Sequence, residues 1–150
     1  MDIQWVDCHH RSLSTQQLHR LLALRNQVFI VEQNCPYLDI DGQDLARDNR
    51  HIQGELEGKL LAYARVLTPV EADAPVLIGR VIVSQEARGL QLGYRLMEKA
   101  LESCETHWPQ HAIYLSAQAH LDGFYGRLGF KAVGEVYLED NIPHIGMQKG

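Results

Sequence analysis

The sequence has little of what holds small proteins together by covalent or metal bonds. Its 150 residues include three cysteines, Cys8, Cys35 and Cys104. An odd number at wide spacing argues against a disulfide framework or a zinc site and fits a reducing cytoplasm. No apolar run approaches the roughly 18 residues that a bilayer span requires, so no membrane association is expected. The opening Met1-Asp2-Ile3-Gln4-Trp5 lacks the basic and apolar regions of a signal peptide. Positive charge is not in excess either. The net charge is −5, whereas a nucleic-acid ligand calls for a clustered basic surface. This balance leans toward a cationic partner. Internal repeats, low-complexity tracts and linkers are absent as well. With 45% hydrophobic and 22% charged residues, the chain reads as one globular domain over residues 1–150 with its own core.

What is present alternates between strand and helix periods. Residues 3–6 suggest a first strand. Ser14 followed by Gln17 is a capping-box start, and Leu18, Leu21, Leu22, Arg25, Val28 and Phe29 then recur at helical spacing. A long polar stretch runs from Gln33 to Arg50, and long loops of this kind are often functional. His51–Glu57 and Leu60–Leu67 predict strands joined at Gly58-Lys59, and Val76–Val83 predicts a central, well-buried strand. An amphipathic helix is expected over Leu92–His107, a short strand over Ile113–Ser116 and a helix over His120–Leu128 closed by Gly129. Phe130–Leu138 and Ile142–Lys149 complete the set around Glu139-Asp140-Asn141. The order β-α-βββ-α-β-α-ββ predicts an α/β protein of α+β character, a central mixed β-sheet flanked by helices.

One turn carries a chemical signal. The strand ending at Val83 feeds Arg88-Gly89-Leu90-Gln91-Leu92-Gly93, which opens directly into a helix. A helix start offers free backbone N–H groups and a favourable dipole to an anion, and Arg88 adds a formal charge. The turn lacks the Gly-Lys-Ser/Thr ending of a P-loop and the three-glycine dinucleotide fingerprint. Read alone, it is either an anion-binding turn or a plain connection containing Gly89 and Gly93. Asp39-Ile40-Asp41-Gly42 invites a calcium reading, but aligning Gly42 with the sixth EF-hand position puts Tyr37 where the first carboxylate belongs. No metal is expected.

Val81-Ile82-Val83, the step to Arg88 and the run through Gly93 resemble the coenzyme A-binding segment of the GNAT superfamily of N-acetyltransferases. Its pattern is Arg/Gln-x-x-Gly-x-Gly/Ala, and Gln91 stands where the middle glycine is usual; with Gln91 in helical φ/ψ its amide stays available. Gln118-Ala119-His120-Leu121-Asp122-Gly123-Phe124-Tyr125-Gly126-Arg127-Leu128-Gly129-Phe130 is similar to the family segment ending in Phe-Tyr-x-x-x-Gly-Phe. Arg25–Gln33, Asp39–Gly42, Asn49-Arg50-His51 and Ile142-Pro143-His144 are similar to one branch of the family.

The resemblance implies the GNAT acyl-CoA N-acyltransferase fold, acetyl-CoA as co-substrate and direct transfer of acetyl to an amine in a ternary complex. Residues 81–83 and 88–93, with Gln118, would hold coenzyme A, and unpaired amides near Ile82 and Val83 would face the thioester. Tyr125, whose phenol is protonated at neutral pH, would be the general acid. His51, His120, His144, Glu32 or water remain open as the base. Arg25, Asp39, Asp41, His51 and His144 are expected on the acceptor side, where Asp39, Asp41 and Asp44 would attract a cationic amine ahead of a strand adjoining the central one. Arg65 and Arg80, in apolar strand contexts, are expected to have carboxylate or carbonyl partners. The cysteines lie outside the motifs, which disfavours a covalent route. A non-catalytic acyl-CoA sensor and a longer acyl group are the alternatives. The acceptor is a small-molecule or peptide amine, and a homodimer is compatible with the sequence.

Overall fold

The computed structural model describes residues 2–88 and 91–150. Seven strands form one sheet in the order β1-β2-β3-β4-β5-β7-β6. They are β1 (Gln4–His9), β2 (Arg50–Leu56), β3 (Lys59–Leu67), β4 (Val76–Val83), β5 (Ile113–Gln118), β6 (Lys131–Glu139) and β7 (Ile142–Lys149). All neighbours are antiparallel except β4 and β5. A parallel pair needs a long crossover, and helix α2 (Leu92–His107) supplies it. The sheet is mixed, as expected, with Val76–Val83 at its centre. The polar stretch does not lead into a neighbour of β4, because β2 pairs with β1 and β3 instead.

Helix α1 (Thr15–Arg25) starts with the full capping box: the Gln17 amide donates to Ser14 Oγ at 3.0 Å, and the Ser14 amide to Gln17 Oε1 at 2.9 Å. The apolar spacing then continues, but the winding changes. Asn26–Glu32 is a π-helix, with the Gln33 amide donating to the Val28 carbonyl and the Cys35 amide to the Ile30 carbonyl. Such wide turns are frequent at functional sites. Helix α3 (Asp122–Arg127) is short and closes at Gly129, whose φ of +97° favours glycine.

The core lies on both faces of the sheet. On one face Leu96, Met97, Ala100 and Cys104 of α2 pack with Ala62, Ala64 and Val66 of β3, and Tyr125 and Leu128 extend that layer under β5. On the other, Leu21 and Val28 cover Tyr63 and Ile82. Strand β4 changes sides along its length. Val76 and Ile78 face the α2 layer, whereas Ile82 faces α1. The switch is a β-bulge: Arg65 pairs with Gly79 and Tyr63 with Ile82, so two residues of β4 oppose one of β3. Arg80 sits in it at φ +51°, a left-handed conformation costing about 1–2 kcal/mol for a non-glycine residue. Without the extra residue, the side chain at 80 would enter the apolar α2 layer.

The turns between strands are Glu57-Gly58 and Asp140-Asn141, all at positive φ, as tight hairpin turns require. The first lies one residue earlier than its sequence suggests. Strand β6 is an exposed edge along its whole length. Its pairing is broken between Val133 and Tyr137, which are opposite Gly146 and His144 of β7, with Gly134 at φ +82° in the interruption.

Candidate active site

Strands β4 and β5 pair only at Val76–Ile113 and Leu77–Tyr114. Beyond these two steps they diverge, and a cavity of about 780 Å³ opens between their carboxyl ends. Residues 78–83 of β4 form one wall and 115–118 of β5 the other. Val28, Phe29 and Glu32 of the π-helix close one side, with Phe124 and Tyr125 of α3 on another. The β6–β7 hairpin adds Glu139, Asp140 and His144. On its β5 side, β4 has no strand partner beyond Leu77 among the described residues, so backbone groups of 81–83 on that side lack a ladder partner.

Tyr125 is held by its neighbours. Phe124 and Phe130 meet its ring edge-on, with centroids at 5.0 and 6.1 Å, and the Phe130 amide donates to the Tyr125 carbonyl at 3.1 Å. Burial pushes the phenol up to about 12, so at neutral pH it keeps its proton and can donate it. Gln118, at the end of β5, lines the same cavity.

At the start of α2, a pocket of about 320 Å³ is lined by Val83, Ala87, Arg88, Gln91, Leu92 and Gly93. It shares Val83 and Arg88 with the main cavity. Gly89 and Leu90 lie outside the described residues. Gln91 does not keep helical φ/ψ: it caps α2 in the left-handed region at φ +58°, ψ +22°. That is glycine's conformation, which accounts for the glycine the family pattern has there. Leu92 is buried, so only its backbone is available to a ligand. A methyl group on Gly93 would meet Phe124 and Val83 at ordinary contact distances, 3.7 and 3.8 Å. Arg88 donates through Nη2 to Glu32 Oε1 at 2.8 Å and through Nε to the Val83 carbonyl at 3.2 Å.

Of the five residues expected on the acceptor side, His144 lines the cavity, and Arg25, Asp39, Asp41 and His51 do not. These four belong to a polar network that spans β2, β3 and β4 outside the cavity. Arg25 is fully buried and donates to Asp39 Oδ2 at 3.0 Å and Asp44 Oδ1 at 2.5 Å. Arg65 donates to both Asp41 oxygens at 2.9 Å and to Asp44 Oδ1 at 3.1 Å, and Arg80 to Asp39 Oδ1 at 2.8 Å. Arg65 and Arg80 thus have the carboxylate partners expected of them. Three arginines against three aspartates make the network neutral. Desolvation works to raise Asp41, but the Arg65 hydrogen bonds, the Gln43 amide and the charges of Arg65 and Arg80 outweigh it and hold the carboxyl at about 2. Asp44 is lowered by Arg25 and Arg65 in the same way. The carboxylates expected to draw in an amine are engaged by arginines.

His51 is wholly buried, two strands away from β4, and desolvation keeps its pKa below the ordinary 6.5. Its Nε2 donates to the Asp44 carbonyl at 2.8 Å, and Nδ1 accepts from the Tyr63 hydroxyl at 2.6 Å. Both ring nitrogens are used. Tyr37, Cys35, Glu139 and Asp140, by contrast, line the cavity without having been singled out from sequence. Nothing local marks Tyr37. The turn Asp140-Asn141 was legible, but not where it would fold.

An acetyltransferase (GNAT) domain model matches residues 43–150. The chain belongs to the GNAT acetyltransferase family. It is 57% identical over 147 residues to protein ElaA of Escherichia coli (strain K12), covering 98% of this chain and 96% of that protein. The crystal structure of E. coli ElaA superposes with a TM-score of 0.95 at 55% identity, over 99% of this chain and 100% of that one. An acyl-CoA N-acyltransferase from Pseudomonas aeruginosa matches with a TM-score of 0.96 at 52% identity, over 99% and 100%. An aminoglycoside 6′-N-acetyltransferase complexed with coenzyme A shares the fold, with a TM-score of 0.72 at 16% identity over 96% of each chain. The GNAT fold assignment made from the motifs therefore holds.

Proposed function

We propose that this GNAT protein moves an acetyl group from acetyl-CoA directly to an amine in a ternary complex. One observation carries the reading. The buried, protonated phenol of Tyr125 lines the cavity where the β4 backbone loses its β5 partner. Edge amides near Ile82 and Val83 stabilise negative charge developing on the thioester oxygen. Tyr125 then gives its proton to the departing thiolate. Arg88 and the backbone at Gln91–Gly93 hold the pyrophosphate, and Gln118 contacts the pantetheine side. The structural neighbour solved with coenzyme A supports such a donor in this fold. The unpaired cysteines are compatible with the reducing cytoplasm, where we place the enzyme.

The test follows thiol release from acetyl-CoA over a panel of amines. Tyr125→Phe should lower kcat on the order of 100-fold while leaving donor affinity unchanged. An unchanged kcat with chemistry rate-limiting would return Tyr125 to a packing role.

A further inference from the structure

We infer that His144, backed by Glu139, takes the proton from the acceptor ammonium and that the β6–β7 turn is where a cationic amine enters. The inference rests on the acetyltransferase reading above. It starts from how the ring is held. Nδ1 of His144 donates to the Ile142 carbonyl at 2.7 Å, so in the neutral ring Nε2 carries the lone pair. Tyr137 stacks on the ring with centroids 6.3 Å apart and planes at 29°. Nε2 is 3.4 Å from Glu139 Oε2. An imidazolium formed there finds a carboxylate already in place, without rearrangement. His144 also pairs with Gln118 across β5 and β7 and lines the cavity with Tyr125. Base and acid therefore border the same space from β7 and α3.

The other titratable groups in contention are placed differently. Both nitrogens of His51 are used behind β4. His120 lines the cavity but is exposed, and its ring makes no hydrogen bond among the described residues. Glu32 is engaged by Arg88 at the donor end. Charge placement agrees. Asp39, Asp41 and Asp44 are neutralised by arginines, while Glu139 and Asp140 line the cavity with no Lys or Arg ion pair among the described residues. The turn, and not the polar loop before β2, is thus the part of the wall with negative charge to spare.

The proton balance closes. The ammonium gives one proton to Nε2 of His144, its nitrogen bonds the thioester carbonyl carbon, and the C–S bond breaks. The thiolate takes the phenolic proton of Tyr125. The second proton shed by the nitrogen as the amide forms replaces it, and the proton on His144 leaves to solvent past Glu139. The products are the amide, the free thiol and one released proton.

Two amines of nearly equal shape test this, ethylamine and 2,2,2-trifluoroethylamine. The first is protonated at neutral pH and the second largely neutral. His144→Gln should lower kcat/KM for ethylamine on the order of 100-fold and for trifluoroethylamine by no more than about threefold. Glu139→Gln, at an exposed turn, should show the same selectivity at smaller size, so a folding defect of the first variant does not decide the matter. Equal losses with both amines would overturn the proton role while leaving acetyl transfer standing. If the wild type releases thiol with no amine, the proposed function falls, and the proton role with it.

Discussion

Two sets of arginine–carboxylate pairs flank β4, one behind the cavity wall and one at the cavity rim, and they differ in exposure to solvent. Behind β4, the side chains of Arg25 and Asp44 are 0% and 7% exposed. Ahead of α2, those of Arg88 and Glu32 are 47% and 21% exposed. The chemistry of the pairing is the same, but its consequence differs. A buried ion loses its hydration and must keep its partners, so the inner network acts as part of the fold. An exposed pair is worth about 1 kcal/mol or less, so an arriving anion can take the arginine over. One wall of the cavity is thereby fixed and the other can be exchanged.

The largest test of that contrast is Asp44→Ala, which strips Arg25 and Arg65 of a shared carboxylate. It should cost about 3–5 kcal/mol in urea unfolding. A loss near that of an exposed pair would erase the distinction. Acid should expose the same network in two stages. His51 has a depressed pKa in the folded protein, so its contribution is whole above the ordinary 6.5 and declines as pH falls below it. Asp41 and Asp44 are also depressed, and theirs is lost as pH drops from about 3.8 toward the Asp41 value of about 2. Melting temperatures measured from pH 8 downward should show both declines, and His51→Gln should remove the first.

At the other wall the effects should be smaller and should fall on the ligand. Arg88→Ala should weaken acetyl-CoA binding about tenfold, with stability little changed. Glu32→Gln, which releases Arg88, should tighten it. Calorimetric titration reads both, and parallel weakening would mean that Glu32 orients Arg88 instead of competing for it. Smallest is Gln91→Gly, which relieves a left-handed residue and should stabilise the protein by about 1 kcal/mol.

What the sequence revealed, and what it did not, divides along local and distant contacts. The capping box at Ser14, the full span of α2 and the glycine stop at Gly129 depend on near neighbours, and periodicity with cap chemistry finds them. The same holds for β4, whose β-branched run carries its own signal. The π-helix escapes because a 3.6-residue period fits Leu18 to Phe29 whether or not the winding widens after Arg25. The bulge at Arg80 and the pairing of Arg25 with Asp44 are set by segments up to 41 residues apart. Composition could say that these charges needed partners but not that the partners would be each other. That is why the aspartates, expected to face an acceptor, lie instead behind the cavity wall. His144 was visible as a residue type in a motif; its orientation depends on Tyr137 across the hairpin.

The interruption in β6 bears on how the molecule meets its own copies. An outermost strand with open N–H and C=O groups is a template on which a second chain can add. Here regular pairing along β6 covers Lys131–Val133, halts around Gly134 and resumes at Tyr137–Glu139. A straight incoming strand would find three residues of correct spacing and then a bend, with Lys131, Glu135 and Glu139 along the way. Val136 and Leu138 remain uncovered on this strand at 57% and 67% exposure, and the bend and the charges beside them are the kind of device that makes an edge strand a poor template for strand addition.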